Sequence, residues 1–129
     1  MAKRKTKLSI RIPPYRPPRN SWRREIHQLA CSEAEKAQVT YGLSDKLQLK
    51  VRLYLNNEAL SSHDVDNRLK DIMDALQGRI GGPKKVPACF AIVPNDHQIF
   101  KVVIEKSSPP KQSKGYGHLI ITKYNGKNV

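Results

Sequence analysis

Hydrophobic and polar positions alternate from Lys7 to Ile12, with Leu8, Ile10 and Ile12 on one side and Ser9 and Arg11 on the other, which predicts a short first strand. Pro13-Pro14 and Pro17-Pro18 then demand an extended, irregular connection. From Ser21 the period changes. Trp22, Ile26, Leu29, Ala30 and Ala37 share one helical face running to about Val39, and Ser32 with Glu35 has the form of a capping box at which the helix could break and restart. Gly42 and Ser44-Asp45 mark a turn, and Lys46–Asn56 is the clearest strand. Its Leu47, Leu49, Val51, Leu53 and Leu55 point one way, and Gln48, Lys50, Arg52 and Tyr54 the other, so one sheet face is apolar and the opposite face basic.

After a loop at Asn57–His63, Val65, Leu69, Ile72, Met73, Leu76 and Ile80 outline a second amphipathic helix. It starts near Asp64 or Asp66 and ends near Gly78, before the Gly81-Gly82-Pro83 stop. Ala88–Val93 fits either a buried strand or a packed loop. Gln98–Ile104 reads as a strand, Ser107–Gly115 with Pro109-Pro110 as a turn, and Gly117–Lys123 as a last strand, expected to form a hairpin with its predecessor. The expected architecture is a single α/β (α+β) domain over residues 1–129, a mixed sheet with two main helices packed on it, preceded by a basic, flexible arm at residues 1–6. There is no internal repeat and no domain boundary.

Charge changes the picture most. The 129 residues hold 24 Lys and Arg against 11 Asp and Glu, a net charge of +13. That exceeds the roughly 2–8 charges that keep a small domain soluble and favours a polyanionic partner, nucleic acid above all. Nine basic residues and no acidic one occur among the first 24. The longest apolar run, Ala88–Val93, is six residues, far short of the ~20 of a membrane span, and no apolar stretch follows the basic start as a secretory signal requires. The expectation is therefore a cytoplasmic, nucleoid-associated protein with no membrane partner. Cys31 and Cys89 read as thiols of a reducing compartment.

Against this basic background Asp64, Asp66, Asp71 and Asp74 fall within eleven positions. Carboxylates repel phosphates unless a divalent cation lies between them, and Mg²⁺ takes one or two carboxylates together with phosphate oxygens and water. Asp66, Lys70 and Asp74 follow each other at i, i+4 and i+8 along one helical face, with Asp64 just before the helix, while Asp71 points elsewhere and reads as a solvated charge. Asp at a helix start is also an ordinary cap, and Asp66 with Lys70 an ordinary ion pair. His63 and His97, each beside an acidic residue, fit a ligand, a water-activating base or a phosphate contact. His27 and His118 read as surface or filler. Trp22, Tyr15 and Tyr41 could stack on unpaired bases, although Trp22 fits the core stripe better.

His63-Asp64-Val65-Asp66-Asn67-Arg68-Leu69-Lys70, followed by Asp74-Ala75-Leu76, resembles the signature of the RusA-type Holliday junction resolvases, and Asn95-Asp96-His97-Gln98-Ile99 is similar to that family's Asp-Asp-x-Gln-Val element. The resemblance implies a RusA-like fold and a small, basic, homodimeric endonuclease, often of phage or prophage origin. It implies that Asp64, Asp66 and Asp96 bind the metal, that Lys70 is the catalytic lysine, and that Asp74, Asn67 and His63 are accessory. The family's paired acid before Gln is reduced here to Asn95-Asp96, and the Gly78–Pro94 segment is long and rich in Gly, Pro and Lys, which bears on substrate preference.

The expected function is Mg²⁺-dependent resolution of four-way DNA junctions in recombination and repair, with Mn²⁺ a substitute metal. The metal would polarise the scissile phosphate and activate water, Lys70 would neutralise developing charge, and Arg16, Arg19, Arg23, Lys50 and Arg52 would hold DNA phosphates. Two alternatives stay open: another metal-dependent nuclease acting on flaps or RNA, and a non-catalytic basic nucleic-acid-binding module.

Overall fold

The computed structural model describes residues 7–16, 18–55, 65–78, 92–111 and 115–124. Strand β1 spans Leu8–Ile12, helix α1 Arg19–Ala37, β2 Leu47–Tyr54, helix α2 Val65–Leu76, β3 Ile99–Ser107 and β4 Gly117–Lys123, with a single 3₁₀ turn at Asp96–Gln98 leading into β3. The strands form one mixed sheet in the order β1-β4-β2-β3. β4 lies antiparallel between β1 and β2, and β3 runs parallel to β2 at the far edge. This is the α+β arrangement the sequence pattern implies, and no helix among the described residues is long and apolar enough to cross a membrane.

Alternation drives the layering. Leu8, Ile10 and Ile12 of β1, Leu47, Leu49, Val51 and Leu53 of β2, and Leu119 and Ile121 of β4 are all buried on one sheet face. Trp22, Ile26, Ala30 and Ala34 of α1 and Ile72, Ala75 and Leu76 of α2 cover that face. At roughly 1.5–3 kcal/mol for each large apolar side chain withdrawn from water, this seam is the main source of stability. Gly117 is required where β4 crosses β2, because a Cβ there would collide with the carbonyl of Arg52.

Two expectations about elements are corrected. Helix α1 runs unbroken through Ser32 and Glu35, since Ala30, Cys31 and Ala34 keep one continuous buried stripe across the proposed break. It ends instead at Gln38, which takes the left-handed conformation (φ 54°). β3 and β4 are not a hairpin. β4 carries two fully buried residues, Leu119 and Ile121, and so takes a central place, while the longer and more exposed β3 is reached from β2 through α2 as a parallel crossover. Most of the Ala88–Val93 run, Cys89 and the arm at 1–6 lie outside the described residues; Ile92 and Val93 are buried, and the Val93 N–H donates to the Leu76 carbonyl at 3.0 Å.

The three mutually parallel strands β1, β2 and β3 end together, and both helices start from that end. Arg19 at the start of α1 meets Asp71 of α2, and His27 one turn past Arg23 meets the Ala75 carbonyl, so the two helices run side by side in the same direction. His27 Nδ1 is 3.0 Å from that carbonyl and Nε2 3.7 Å from the Cys31 sulfur. Buried there, His27 fills the space at the end of α2.

Candidate functional site

The acids of α2 divide between its two sides. Asp66, Asn67 and Lys70 are exposed, in the first turns of the helix, at the end of the sheet where β1, β2 and β3 terminate. Asp71 is fully buried, contrary to the expectation of a solvated charge. Its Oδ1 accepts from Arg19 Nε and Nη2 (3.0 and 2.8 Å) and from Arg23 Nε (3.1 Å). Arg68 Nη2 lies 3.5 Å from its Oδ2. Asp74 is half-buried and pairs with Arg23 at 3.3 Å, so the 40° drift per four residues of a 3.6-residue helix has carried it off the Asp66–Lys70 face and onto α1.

Arg68 is the member of this hub with no sequence expectation attached. Its guanidinium carbon lies 3.6 Å from the Tyr15 ring centroid and 6.0 Å from that of Trp22. Tyr15 and Trp22 meet edge to face at 5.2 Å, and Trp22 Nε1 donates to the Pro13 carbonyl at 3.0 Å. Stacking a cation on aromatic faces is worth about 2 kcal/mol when desolvated. The signal was present in the sequence as matched spacings: Arg19 and Arg23 one turn apart on α1, and Arg68, Asp71 and Asp74 three apart on α2. Tyr15 and Tyr41 are accordingly framework rather than base-stacking residues. Tyr41 is buried and its hydroxyl donates to the Ile121 carbonyl at 3.4 Å.

The expected DNA contacts divide in the same way. Arg19 and Arg23 are committed to Asp71, and the hydrogen bond that Arg19 donates to that carboxylate is the main cause of an Arg19 pKa raised above its ordinary value. Arg16 and Lys50 are exposed. Lys50 stands on the sheet face that no described helix covers, beside Arg52, Tyr54, Glu105, His118 and Ile120 around an open depression of about 220 Å³. Arg52 pairs with Glu105 at 3.2 Å there, and Arg11 is held over the same face by the Tyr116 and Gly117 carbonyls. His118, edge-on to Tyr54 at 6.1 Å, has its pKa lowered by desolvation first and then by Arg11 and Arg52.

Asp96 opens the 3₁₀ turn before β3, and that turn is latched to the start of β2. Gln98 Nε2 donates to the Gly42 and Asp45 carbonyls at 2.6 and 2.9 Å, and its Oε1 accepts from the Asn95 N–H at 3.0 Å. Gln98 thus fixes the loop that carries the downstream motif. The latch also sets the Asp96 backbone at the C-terminal end of α2. Asp66 lies ten residues up that helix from Leu76, on the order of 15 Å at 1.5 Å per residue. The backbone at Asp96 thus lies at the opposite end of α2 from Asp66. Asp64 and His63 lie outside the described residues, and among the described residues no three His, Cys, Asp or Glu side chains gather as a metal site. His97 is exposed, with its N–H on Asn95 Oδ1 at 2.9 Å.

No protein-family model matches the chain, and no curated protein is similar to it at a significant level.

Proposed function

We propose that this protein is a Mg²⁺-dependent, structure-selective DNA endonuclease that hydrolyses phosphodiester bonds at four-way junctions. The observation that carries the reading is the division of α2: Asp66 and Lys70 stand exposed one turn apart, while the neighbouring acids Asp71 and Asp74 are neutralised by arginines. An uncovered carboxylate on a chain of charge +13 is unfavourable beside phosphates unless a cation bridges them. It sits at the carboxyl ends of parallel strands, where open α/β sheets place their ligand sites.

The hard oxygen donor set suits Mg²⁺, with Asp66 and, from the resemblance, Asp64 supplying protein ligands; bound there, the ion would lower the pKa of an attacking water. Lys70 would stabilise charge developing on the phosphoryl or leaving oxygen. Arg16, Lys50 and Arg11 would track the duplex backbone. A protein so built would act on branched DNA in the cytoplasm, at the nucleoid, whether host- or phage-encoded, and as a homodimer it would present one site to each of two strands.

The decisive experiment incubates the protein with a labelled four-way junction, a flap, a linear duplex and an RNA hairpin, with and without Mg²⁺. Metal-dependent cutting of the junction, abolished by Asp66→Asn with junction binding retained, is the expected result. Undiminished cutting by Asp66→Asn overturns the site. Preference for flap or RNA replaces the substrate, and binding without cleavage of any of them leaves a nucleic-acid-binding module.

A further inference from the structure

The open sheet face, which no described helix covers, ends in an aromatic corner that no sequence expectation singled out. The Phe100 and Tyr124 rings stand 5.4 Å apart, tilted by 36°, and Lys46 Nζ lies 5.3 Å from the Phe100 centroid. Phe100 is 53% exposed.

A bulge in β3 builds this corner. Ile99 lies opposite Leu47 and Lys101 opposite Gln48, so Phe100 is an extra residue with no partner in β2. Ile99 borders Leu49 and Leu76 on the helix side. The extra residue lets two successive side chains, Phe100 and Lys101, both turn to solvent before alternation resumes. Tyr124 is brought in from the neighbouring strand. Its N–H donates to the Lys46 carbonyl at 2.8 Å, which continues the β2–β4 ladder past Lys123. Two residues beyond Thr122, Tyr124 therefore keeps to the open face.

We propose that the Phe100–Tyr124 corner stacks the bases of an unpaired DNA strand, whose phosphates are held by Lys46 and Lys101 and, further along the open face, by Lys50.

Charge selects the occupant first. Lys46, Lys50 and Lys101 are exposed, while Glu105 on the same face is already paired with Arg52. A polyanion is drawn to such a surface, and a second copy of this chain, at +13, is repelled from it. The rings then distinguish one polyanion from another. Bases within a duplex are covered by their own neighbours and turn only edges and phosphates outward, so a duplex can use the lysines but not the rings. An unpaired base has a free π face for Phe100 while its phosphate reaches a lysine. Side chains on one face repeat every two residues, so Lys46 and Lys50 stand roughly 13 Å apart, and the levels of Tyr124 and His118 roughly 20 Å. That strip is long enough for several nucleotides.

The corner is separate from the Asp66 site. Phe100 lies at the start of β3 and Lys46 just before β2, the end of the sheet opposite the one from which α2 begins, and on the face away from the helices. That the strand is DNA rests on the nuclease reading; the stacking and the charge do not.

Fluorescence anisotropy reads the corner, with a labelled oligo(dT) of about ten nucleotides and a labelled duplex of about ten base pairs titrated with the full chain in EDTA, so that nothing is cut. Phe100→Ala is expected to weaken oligo(dT) binding about tenfold and Tyr124→Ala about fivefold, each leaving duplex binding within about twofold. Phe100→Tyr keeps a ring and should stay within about threefold of the parent for both probes. Lys46→Ala and Lys101→Ala should each reduce the slope of log K against log salt for oligo(dT) by about 0.7, whereas Phe100→Ala leaves that slope in place. The indole introduced by Phe100→Trp should be quenched by oligo(dT) and much less by the duplex, while the parent, whose single Trp22 is buried, changes little. Oligo(dT) binding indifferent to Phe100→Ala overturns the corner. If Phe100→Ala loses both probes, the Phe100→Trp variant decides, and an indole that oligo(dT) does not quench overturns the corner. An oligo(U) of the same length bound more tightly than oligo(dT), and through Phe100, overturns the choice of DNA. A parent that binds oligo(dT) through Phe100 yet cuts no substrate in Mg²⁺ overturns the nuclease reading and leaves the stacking site standing.

Discussion

The two sides of α2 use the same residue types for opposite purposes. On one side Asp71 is fully buried and gathers Arg19, Arg23 and Arg68; on the other, Asp66 and Lys70 face water one turn apart. A buried carboxylate so surrounded already has its counter-charge and is neither available to a metal nor repelled by phosphate. An exposed one on a basic chain keeps its charge for a ligand. The comparison teaches that an acidic cluster in sequence is not one site: Asp71 and Asp74 fasten helix to helix, while Asp66 is left facing water.

The largest effect that follows is on stability. Asp71→Ala leaves Arg68, whose side chain is 10% exposed, without its counter-ion, and Arg23, 17% exposed, with Asp74 alone. Removing one partner of a buried pair costs about 3–5 kcal/mol. Arg68 Nε and Asp71 Oδ2 have no hydrogen-bond partner among the described residues, so the pairing is not saturated and the loss falls at the lower end. Urea titration measures it. Asp66→Asn, on the exposed side, is expected to shift stability by no more than about 0.5 kcal/mol. Equal losses at the two positions would erase the distinction between the sides.

Lys70→Ala sharpens it from the catalytic side. As one cation of 24 its share of ground-state attraction to DNA is small, while a single well-placed donor to transition-state charge is worth roughly 10²–10³ in rate. Single-turnover cleavage with protein in excess separates the two. A bound junction cut at the parental rate by Lys70→Ala would reduce Lys70 to an i,i+4 partner of Asp66, worth about 0.3–0.5 kcal/mol.

The fold was legible from alternation because burial on one face repeats every second residue in β1, β2 and β4, and a packed face writes itself into sequence. The strand order was not. Whether β4 returns to β3 or passes between β1 and β2 depends on which strand is buried most deeply, and Leu119 and Ile121 look no more apolar in sequence than Val102 and Ile104. Exposed Asp66 and Lys70 were legible because helical spacing is local. The burial of Asp71 was not, since two of its three arginines come from the other helix, 52 and 48 positions earlier in the chain, and the third, Arg68, stacks on Tyr15. The matched spacings record which residues can pair, not that the two helices bring them together.

Among basic residues the same comparison separates engaged from available. Lys50 stands exposed on the open sheet face, whereas Arg23 is spent on Asp71 and Asp74. Lys50→Ala is expected to reduce the slope of log K against log salt by about 1 for duplex or junction binding, one phosphate contact. Arg23→Ala should leave that slope in place and lower stability instead. The reverse outcome would put the DNA on the helix side of the sheet.

The smallest effect concerns His118 on the open face. Desolvation, then Arg11 from β1 and Arg52 from β2, lower its pKa below the ordinary value, so the folded chain resists protonating it more than the unfolded chain does. In the window between the lowered folded value and the unfolded value near 6.5, the unfolded state therefore binds more protons, and stability falls as pH drops into that window. His118→Gln removes this increment, so the loss of melting temperature between pH 7.5 and 5.5 should be smaller in the variant than in the parent. A phosphate lodged among Arg11, Lys50 and Arg52 would oppose the two arginines and favour the imidazolium, so bound DNA should weaken or reverse the parent's sensitivity while leaving the variant unchanged. Melting curves of both proteins at the two pH values, with and without a short duplex, read the sign directly. A parent and variant that respond alike would mean that the open face carries neither the histidine's electrostatic load nor the DNA.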